Sequence, residues 1–71
     1  MSEKIPSSVN LGESIRAARR QRGWSQEVLA EQAGVSRPTI ARVETGNDVS
    51  TATISKIVSA LGLTLRIEPT E

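Results

Sequence analysis

The hydrophobic residues of this chain recur at helical spacing in four segments. The clearest segment has apolar residues at positions i, i+3, i+4 and i+7: Ile54, Ile57, Val58 and Leu61. Three earlier segments carry shorter stripes of the same kind: Leu11, Ile15, Ala18, Arg19 and Arg22; Val28, Leu29 and Ala33; and Ile40, Val43 and Glu44. Because this spacing places the repeated residues on one face of an α-helix, the pattern predicts four amphipathic helices and an all-α domain.

Residues that begin and end helices flank these stripes. Ser25, Ser36 and Ser50 precede the second, third and fourth stripes, and a serine there accepts a hydrogen bond from an N–H of the first turn. Asn10, with Glu13 three residues later, forms a capping pair for the first helix. A glycine, which commonly ends a helix, follows every stripe: Gly23, Gly34, Gly46 and Gly62.

The period changes after Gly62, where apolar residues alternate with polar ones: Leu63, Leu65 and Ile67. Alternation predicts a short β-strand over residues 63–68. The sequence offers no second strand to pair with it, so its unpaired backbone predicts pairing with a second copy of the chain. We therefore expect a flexible tail over 1–9, a helix-turn-helix domain over 10–62, a dimerisation strand over 63–68 and a tail over 69–71.

Composition excludes several classes of function. The 71 residues contain no Cys and no His, which removes disulfides, thiolate metal sites and the usual proton shuttle at neutral pH. We therefore predict no enzymatic activity, no metal and no cofactor. The sequence has no signal peptide and no membrane-spanning run, so we expect a cytoplasmic protein without a membrane partner.

The net charge of +1 is unevenly distributed. Residues 1–24 contain five basic and two acidic residues, whereas residues 25–50 contain two basic and four acidic ones. A basic surface that binds nucleic acid must therefore be a local patch rather than a property of the whole domain.

Residues 26–45 hold two short helices joined by the tight turn Gly34-Val35-Ser36. Ala30 and Ala33 permit close packing across such a turn, and Gly34 can adopt the left-handed conformation without steric cost. This combination is typical of a DNA-binding helix-turn-helix, whose second helix enters the major groove.

The outward face of the third helix has no acidic residue: Arg37, Pro38, Ala41, Arg42 and Thr45. An Arg at the start of a recognition helix can donate to O6 and N7 of guanine, and the Pro38 ring suits contact with a thymine methyl group. The alternative is that the two arginines are ordinary solvated charges and that Thr39 only begins the helix.

Five other residues are candidates for contact with the DNA backbone or for packing. Ser25 and Gln26 begin the second helix, whose first N–H groups suit a phosphate. Arg16 and Arg20 either contact phosphate or only keep the first helix soluble. Trp24 is the only aromatic residue, which favours a place in the core over a base-stacking track.

Arg19 and Glu44 lie on the inward stripes of the first and third helices. Charged residues are rarely buried without a partner. We therefore predict a structural ion pair that braces the first helix against the third.

The stretch from Leu11 to Leu65 resembles the phage-repressor and Cro-like (XRE-type) helix-turn-helix family. The matching signature is IRAARRQRGWSQEVLAEQAGVSRPTIARVETG followed by ISKIVSALGLTL. The resemblance implies a four- to five-helix, lambda-repressor-like domain with base contacts from these residues: Ser36, Arg37, Pro38, Thr39 and Arg42. It also implies that Arg19 pairs with Glu44, and that phosphate is approached by Gln26, Thr45 and Asn47. Many members have Pro-Ser before the fourth helix, where this chain has Val49-Ser50.

The segments GWSQ and LGLTLRIEP are similar to those of HipB-type antitoxins, which are repressors that end in a β-strand. This resemblance implies a homodimer with strands paired across the two-fold axis, a palindromic double-stranded operator on the nucleoid, and a kinase-like toxin as partner. It implies autoregulation of a toxin–antitoxin operon. The alternatives are a stand-alone or phage-type regulator of the same family, and an interaction module that neutralises a partner without binding DNA.

Overall fold

The computed structural model describes residues 11–63, and this part of the chain folds into four α-helices. They are α1 (Leu11–Gln21), α2 (Gln26–Ala33), α3 (Arg37–Glu44) and α4 (Thr51–Ala60). The predicted all-α fold is confirmed. The capping residue Asn10, the tails, and residues 64–68 of the predicted strand lie outside the described residues. No helix within 11–63 is long and apolar enough to cross a membrane.

The core lies where all four helices meet. The fully buried large side chains come from α1, α2, α3, α4 and the residue that ends α4: Ile15, Leu29, Ile40, Ile57 and Leu61. Helix α2 packs against both α3 and α4, and α1 packs against α3. Trp24 is half-buried and packs on this core, as predicted. The helix-turn-helix unit is therefore supported from both sides by α1 and α4.

Serine side chains cap the second, third and fourth helices, as the sequence predicts. The Oγ atoms of Ser25, Ser36 and Ser50 accept hydrogen bonds from the N–H groups three residues later, at 3.1, 3.3 and 3.1 Å. Such caps each stabilise a helix by about 1 kcal/mol. They fix the first residue of α2 and of α3, where the sequence predicts contacts with DNA.

The turn between α2 and α3 depends on Gly34. Its φ of 72° lies in the left-handed region, which costs a residue with a side chain about 1 kcal/mol or more. The N–H of Gly34 donates to Ala30 and Glu31, and the N–H of Val35 donates to the carbonyl of Ala30 at 3.0 Å. These bonds end α2 abruptly, so that α3 can leave at a steep angle.

Helix α1 approaches the last turn of α3 very closely at Gly12. A Cβ atom added at Gly12 would lie 2.3 Å from the carbonyl oxygen of Val43 and 3.0 Å from that of Glu44. Only a residue without a side chain fits there. Nothing in the hydrophobic pattern of the sequence marks this contact.

Candidate nucleic-acid interface

Helix α3 presents two chemically different faces. Ile40, Val43 and Glu44 are buried, whereas Arg37, Pro38 and Arg42 are exposed. The exposed arginines make no side-chain hydrogen bond or ion pair with any residue from 11 to 63. Both guanidinium groups are therefore available to a ligand with acceptor atoms, such as the edge of a guanine.

The hydroxyl groups of Ser36 and Thr39 are occupied with each other. Their oxygens lie 2.8 Å apart, and Ser36 Oγ also accepts from the N–H of Thr39. This pair caps α3, so the interpretation of Thr39 as a helix-start residue is supported. A base contact by Ser36 or Thr39 stays a prediction. One of the two hydroxyl groups donates its hydrogen to the other, so a single hydroxyl hydrogen remains for such a contact.

An open cleft of about 480 Å³ lies between the first residues of α2 and of α3. Its lining contains two of the residues predicted to contact phosphate, the first residue of α3, a buried arginine and an acid: Ser25, Gln26, Arg37, Arg19 and Glu27. Donors in this cleft suit a phosphate at the start of α2. The negative charge of the Glu27 carboxylate is unfavourable for an anion bound there. The sequence pattern of α3 does not indicate that an acidic residue of α2 lines the cleft.

The predicted pair of Arg19 and Glu44 is present in the structure. Arg19 Nε donates to Glu44 Oε2 at 2.7 Å, and Arg19 Nη2 donates to Glu44 Oε1 at 3.1 Å. Gln26 Nε2 donates to the same Oε1 at 3.2 Å, and Arg19 Nη1 donates to the carbonyl of Trp24 at 2.8 Å. One carboxylate thus ties α1, the start of α2 and the end of α3 together. No buried polar side-chain atom within 11–63 lacks a hydrogen bond.

Gln26 joins this arrangement through its side-chain amide. The amide nitrogen carries two hydrogens, and one is directed to Glu44. The second makes no hydrogen bond within residues 11–63. The phosphate contact that the resemblance implies for Gln26 would use this second hydrogen and stays a prediction.

The loop after α3 is bonded internally. Thr45 Oγ1 donates its single hydrogen to the carbonyls of Ala41 and Arg42, at 3.0 and 3.1 Å. Asn47 Nδ2 donates to Thr45 Oγ1 at 3.2 Å, and the N–H of Asn47 donates to Arg42 at 2.9 Å. The Thr45 hydroxyl therefore positions Asn47, whose second amide hydrogen is the donor that this pair can offer a phosphate.

The remaining arginines of α1 differ in their surroundings. Arg16 and Arg20 are exposed one turn apart and have no side-chain partner within 11–63, so both stay candidates for phosphate. Arg22, placed on the inward stripe by its spacing, is exposed instead. Its Nη2 donates to the carbonyl of Leu61, and its guanidinium carbon lies 5.7 Å from the Trp24 ring centroid. Arg22 therefore connects the end of α1 to the end of α4.

Comparison with known families gives one family match. The model described as Helix-turn-helix (HTH_3) matches residues 15–67, which is most of the chain. The chain is also 33% identical over 66 residues to antitoxin HipB of Escherichia coli strain K12, covering 92% of this chain and 75% of that protein. Antitoxin HipB of Escherichia coli O6:H1 is 33% identical over 66 residues, with 92% and 70% covered.

Two solved structures have a similar fold. A HipA-HipB-O2-O3 complex contains a chain with a TM-score of 0.76 and 30% identity, covering 99% of this chain and 100% of that one. The hypothetical transcription factor NHTF from Neisseria has a TM-score of 0.74 and 31% identity, with 90% and 78% covered. Both similarities extend over nearly the whole chain.

Proposed function

Since the chain belongs to the helix-turn-helix family of DNA-binding regulators and is related to the HipB antitoxins, we propose that it is a sequence-specific transcriptional repressor. Helix α3 enters the major groove and presents its exposed face to the bases. The observation that carries this proposal is the pair Arg37 and Arg42, which are exposed and have no side-chain partner among residues 11–63, on a helix whose other face is buried.

Each side chain of the interface has a distinct task. Arg37 and Arg42 donate to guanine, and Ser36, Pro38 and Thr39 contact neighbouring base edges. A second set of side chains contacts the phosphates on either side: Ser25, Gln26, Arg16, Arg20, Thr45 and Asn47. Because phosphate contacts carry no sequence information, the first set determines which operator is bound.

The active form is a homodimer on a palindromic operator. Leu63, the last described residue, is 46% exposed, and it begins the alternating segment that the sequence predicts to be a strand. Pairing of two such strands across a two-fold axis would cover Leu63 and place the two α3 helices on successive major grooves, about 34 Å apart.

The biological role we propose is that of an antitoxin. Two relatives that are similar over most of this chain are named antitoxin HipB, and one similar structure is that of a HipA-HipB-O2-O3 complex. By extension, this chain represses its own operon on the nucleoid in the cytoplasm and binds a kinase-like toxin from a neighbouring gene. Co-expression with that neighbour tests this role, and a gene without a toxin neighbour favours a stand-alone regulator.

A mobility shift with operator DNA selected by the full chain tests the central proposal. We expect salt-sensitive binding, and for Arg37→Ala a loss of about 1–3 kcal/mol with relaxed discrimination at one base pair. Lys56→Ala, an exposed change on α4, serves as the matched control and should bind as wild type. If Arg37→Ala binds operator and scrambled DNA as the wild type does, Arg37 does not contact bases.

Two further measurements concern the oligomer and the alternative function. A chain ending at Gly62 should sediment as a monomer, and an unchanged mass would count against strand pairing. A chain that captures a partner but shows no salt-sensitive DNA binding is an interaction module and not a repressor.

A further inference from the structure

A continuous series of contacts connects the end of α3 to the end of α4. Glu44, the last residue of α3, accepts two hydrogen bonds from Arg19, and Arg19 Nη1 donates to the carbonyl of Trp24 at 2.8 Å. The Arg22 guanidinium carbon lies 5.7 Å from the Trp24 ring centroid, and Arg22 Nη2 donates to the carbonyl of Leu61. We call this series of contacts, from Glu44 to Leu61, the side-chain bridge.

The first half of the side-chain bridge is held by burial and by backbone hydrogen bonds. Arg19 and Glu44 are buried, and Trp24 is half-buried against the core. The N–H groups of Arg22 and Trp24 both donate to the carbonyl of Arg19, at 3.1 Å each. The Arg22 side chain therefore extends towards α4 from a fixed point of the domain. Arg22 itself is exposed, so its replacement leaves the core intact.

The carbonyl that Arg22 binds lies where the chain leaves the core. Leu61 is fully buried, whereas Gly62 is exposed and Leu63 is 46% exposed. Gly62 turns the chain with a φ of 72°, and the N–H of Leu63 donates to the carbonyl of Val58 at 3.0 Å. A Cβ atom added at Gly62 would lie 3.1 Å from Arg22 Nη2, so the guanidinium packs directly against this turn. Arg22 therefore supplies a side-chain contact that holds the chain where it leaves α4.

We propose that Arg22 is a positioning residue that sets the separation of the two operator half-sites. This inference rests on the proposed function, in which residues 63–68 pair two copies of the chain. In that dimer, every link between α3 and the paired segment affects the distance and the rotation between the two α3 helices. The side-chain bridge is such a link, because it begins at the last residue of α3 and ends at the residue before Gly62.

The spacing of the half-sites is a sensitive measure of this link. One base pair more or less between them moves one half-site by about 3.4 Å and rotates it by about 35° around the DNA axis. To bind such an operator, the dimer must distort where it is held most weakly. Within the side-chain bridge that place is the exposed bond from Arg22 to Leu61, since Arg19 and Glu44 are buried. The penalty for wrong spacing therefore includes the free energy of breaking that bond.

Operators with altered spacing test this proposal. Half-sites from an operator selected by the full chain are placed at the selected spacing, one base pair closer and one base pair further apart. We expect the wild type to prefer the selected spacing. For Arg22→Met, which keeps an apolar side chain over Trp24 but cannot donate, that preference should fall by about fivefold, the value of one hydrogen bond. Its sedimentation mass should remain that of a dimer.

Three further variants assign the effect to the hydrogen bond. Arg22→Gln, whose side chain is too short to reach Leu61, should lose the same preference and provides a second test if Arg22→Met does not fold. Arg22→Lys should restore part of the preference, because an ammonium can donate to a helix carboxyl end. Lys56→Met removes the same charge from an exposed site on α4. It is the matched control, and it should keep the full preference and bind a single half-site as Arg22→Met does. Circular dichroism verifies that each variant is folded.

The outcomes separate this inference from the proposed function. An unchanged spacing preference in folded Arg22→Met or Arg22→Gln overturns the positioning role and leaves the repressor proposal intact. Binding to a single half-site that falls well below that of Lys56→Met shows that Arg22 acts on the domain or on its DNA contacts, and also overturns the positioning role. A wild-type chain that binds DNA as a monomer, or without any spacing preference, overturns the proposed dimer and this inference with it.

Discussion

The guanidinium of Arg19 and the carboxylate of Glu44 share two hydrogen bonds, of 2.7 and 3.1 Å, in the interior of the protein. The two side chains are only 10% and 3% exposed. Because Glu44 is the last residue of α3, this pair fixes the carboxyl end of α3 to α1. If either residue is removed, the other is left as an unpaired charge that is shielded from water.

Removing Arg19 should therefore be costly. We expect Arg19→Ala to lower the free energy of unfolding by about 3–5 kcal/mol, the usual cost of a buried charge without a partner. Replacing both residues with apolar ones, as in Arg19→Met with Glu44→Leu, should recover much of that loss. Urea denaturation followed by circular dichroism measures both changes.

The neighbouring Arg20 provides the control for this experiment. Arg20 is exposed, so Arg20→Ala should change the unfolding free energy by no more than about 0.5 kcal/mol. Equal losses for Arg19→Ala and Arg20→Ala would show that the buried pair does not stabilise the domain.

In the Gly12→Ala variant, helix propensity and packing should have opposite effects on the stability of the fold. Alanine in place of glycine inside a helix is favourable by about 1 kcal/mol. Here the added carbon would lie 2.3 Å from the Val43 carbonyl, so α1 must move away from α3. We expect a net destabilisation of about 1–3 kcal/mol, measured as a lower Tm.

Ser14→Ala, at an exposed position of α1, is the control and should leave Tm nearly unchanged. A raised Tm for Gly12→Ala would refute the close contact.

Local signals account for what the sequence predicts well. Ser25, Ser36 and Gly34 act within their own turns, so residue type alone indicates where α2 and α3 begin and end. The pair of Arg19 and Glu44 is predictable for a different reason. Two opposite charges on the inward faces of neighbouring helices are almost never buried unless they form an ion pair with each other.

Contacts between distant backbone segments are what the sequence does not reveal. The approach of Gly12 to Val43 and the bond from Arg22 to the Leu61 carbonyl join residues more than thirty positions apart. Both involve backbone carbonyls, which every residue has, so no residue type marks them. The position of Glu27 in the cleft is likewise not predictable from the sequence, because it depends on how α2 packs against α3.

Arg22→Ala should loosen the end of α4. The guanidinium donates to the carbonyl of Leu61, the residue that follows α4, and lies over the Trp24 ring. We expect a loss of about 1 kcal/mol in unfolding free energy and a shift in the emission of Trp24. Arg22→Lys should recover part of the stability, because an ammonium can also donate to a helix carboxyl end. Gln21→Ala, exposed and adjacent, should alter neither quantity, and an Arg22→Ala variant as stable as Gln21→Ala would exclude the capping role.

Glu27→Gln should strengthen DNA binding. Glu27 lines the same cleft as Ser25 and Gln26, where we propose that a phosphate lies, and removing a like charge near a phosphate favours association. We expect about two- to fivefold higher affinity at low salt, with the difference shrinking as salt rises. Glu31→Gln, exposed on α2 one turn further along, is the matched control. Equal effects of the two changes in titrations would place the phosphate elsewhere.

The shortness of α2 and α3 has a consequence for how activity is lost. Each helix has eight residues, about 12 Å, whereas isolated helices shorter than roughly 12–15 residues are marginal in water. Neither helix can persist once the core opens, so an unfolded chain retains no partial recognition element. Destabilising variants with an intact exposed face should therefore lose operator occupancy in proportion to the folded fraction, while the molecules that remain folded keep their full affinity.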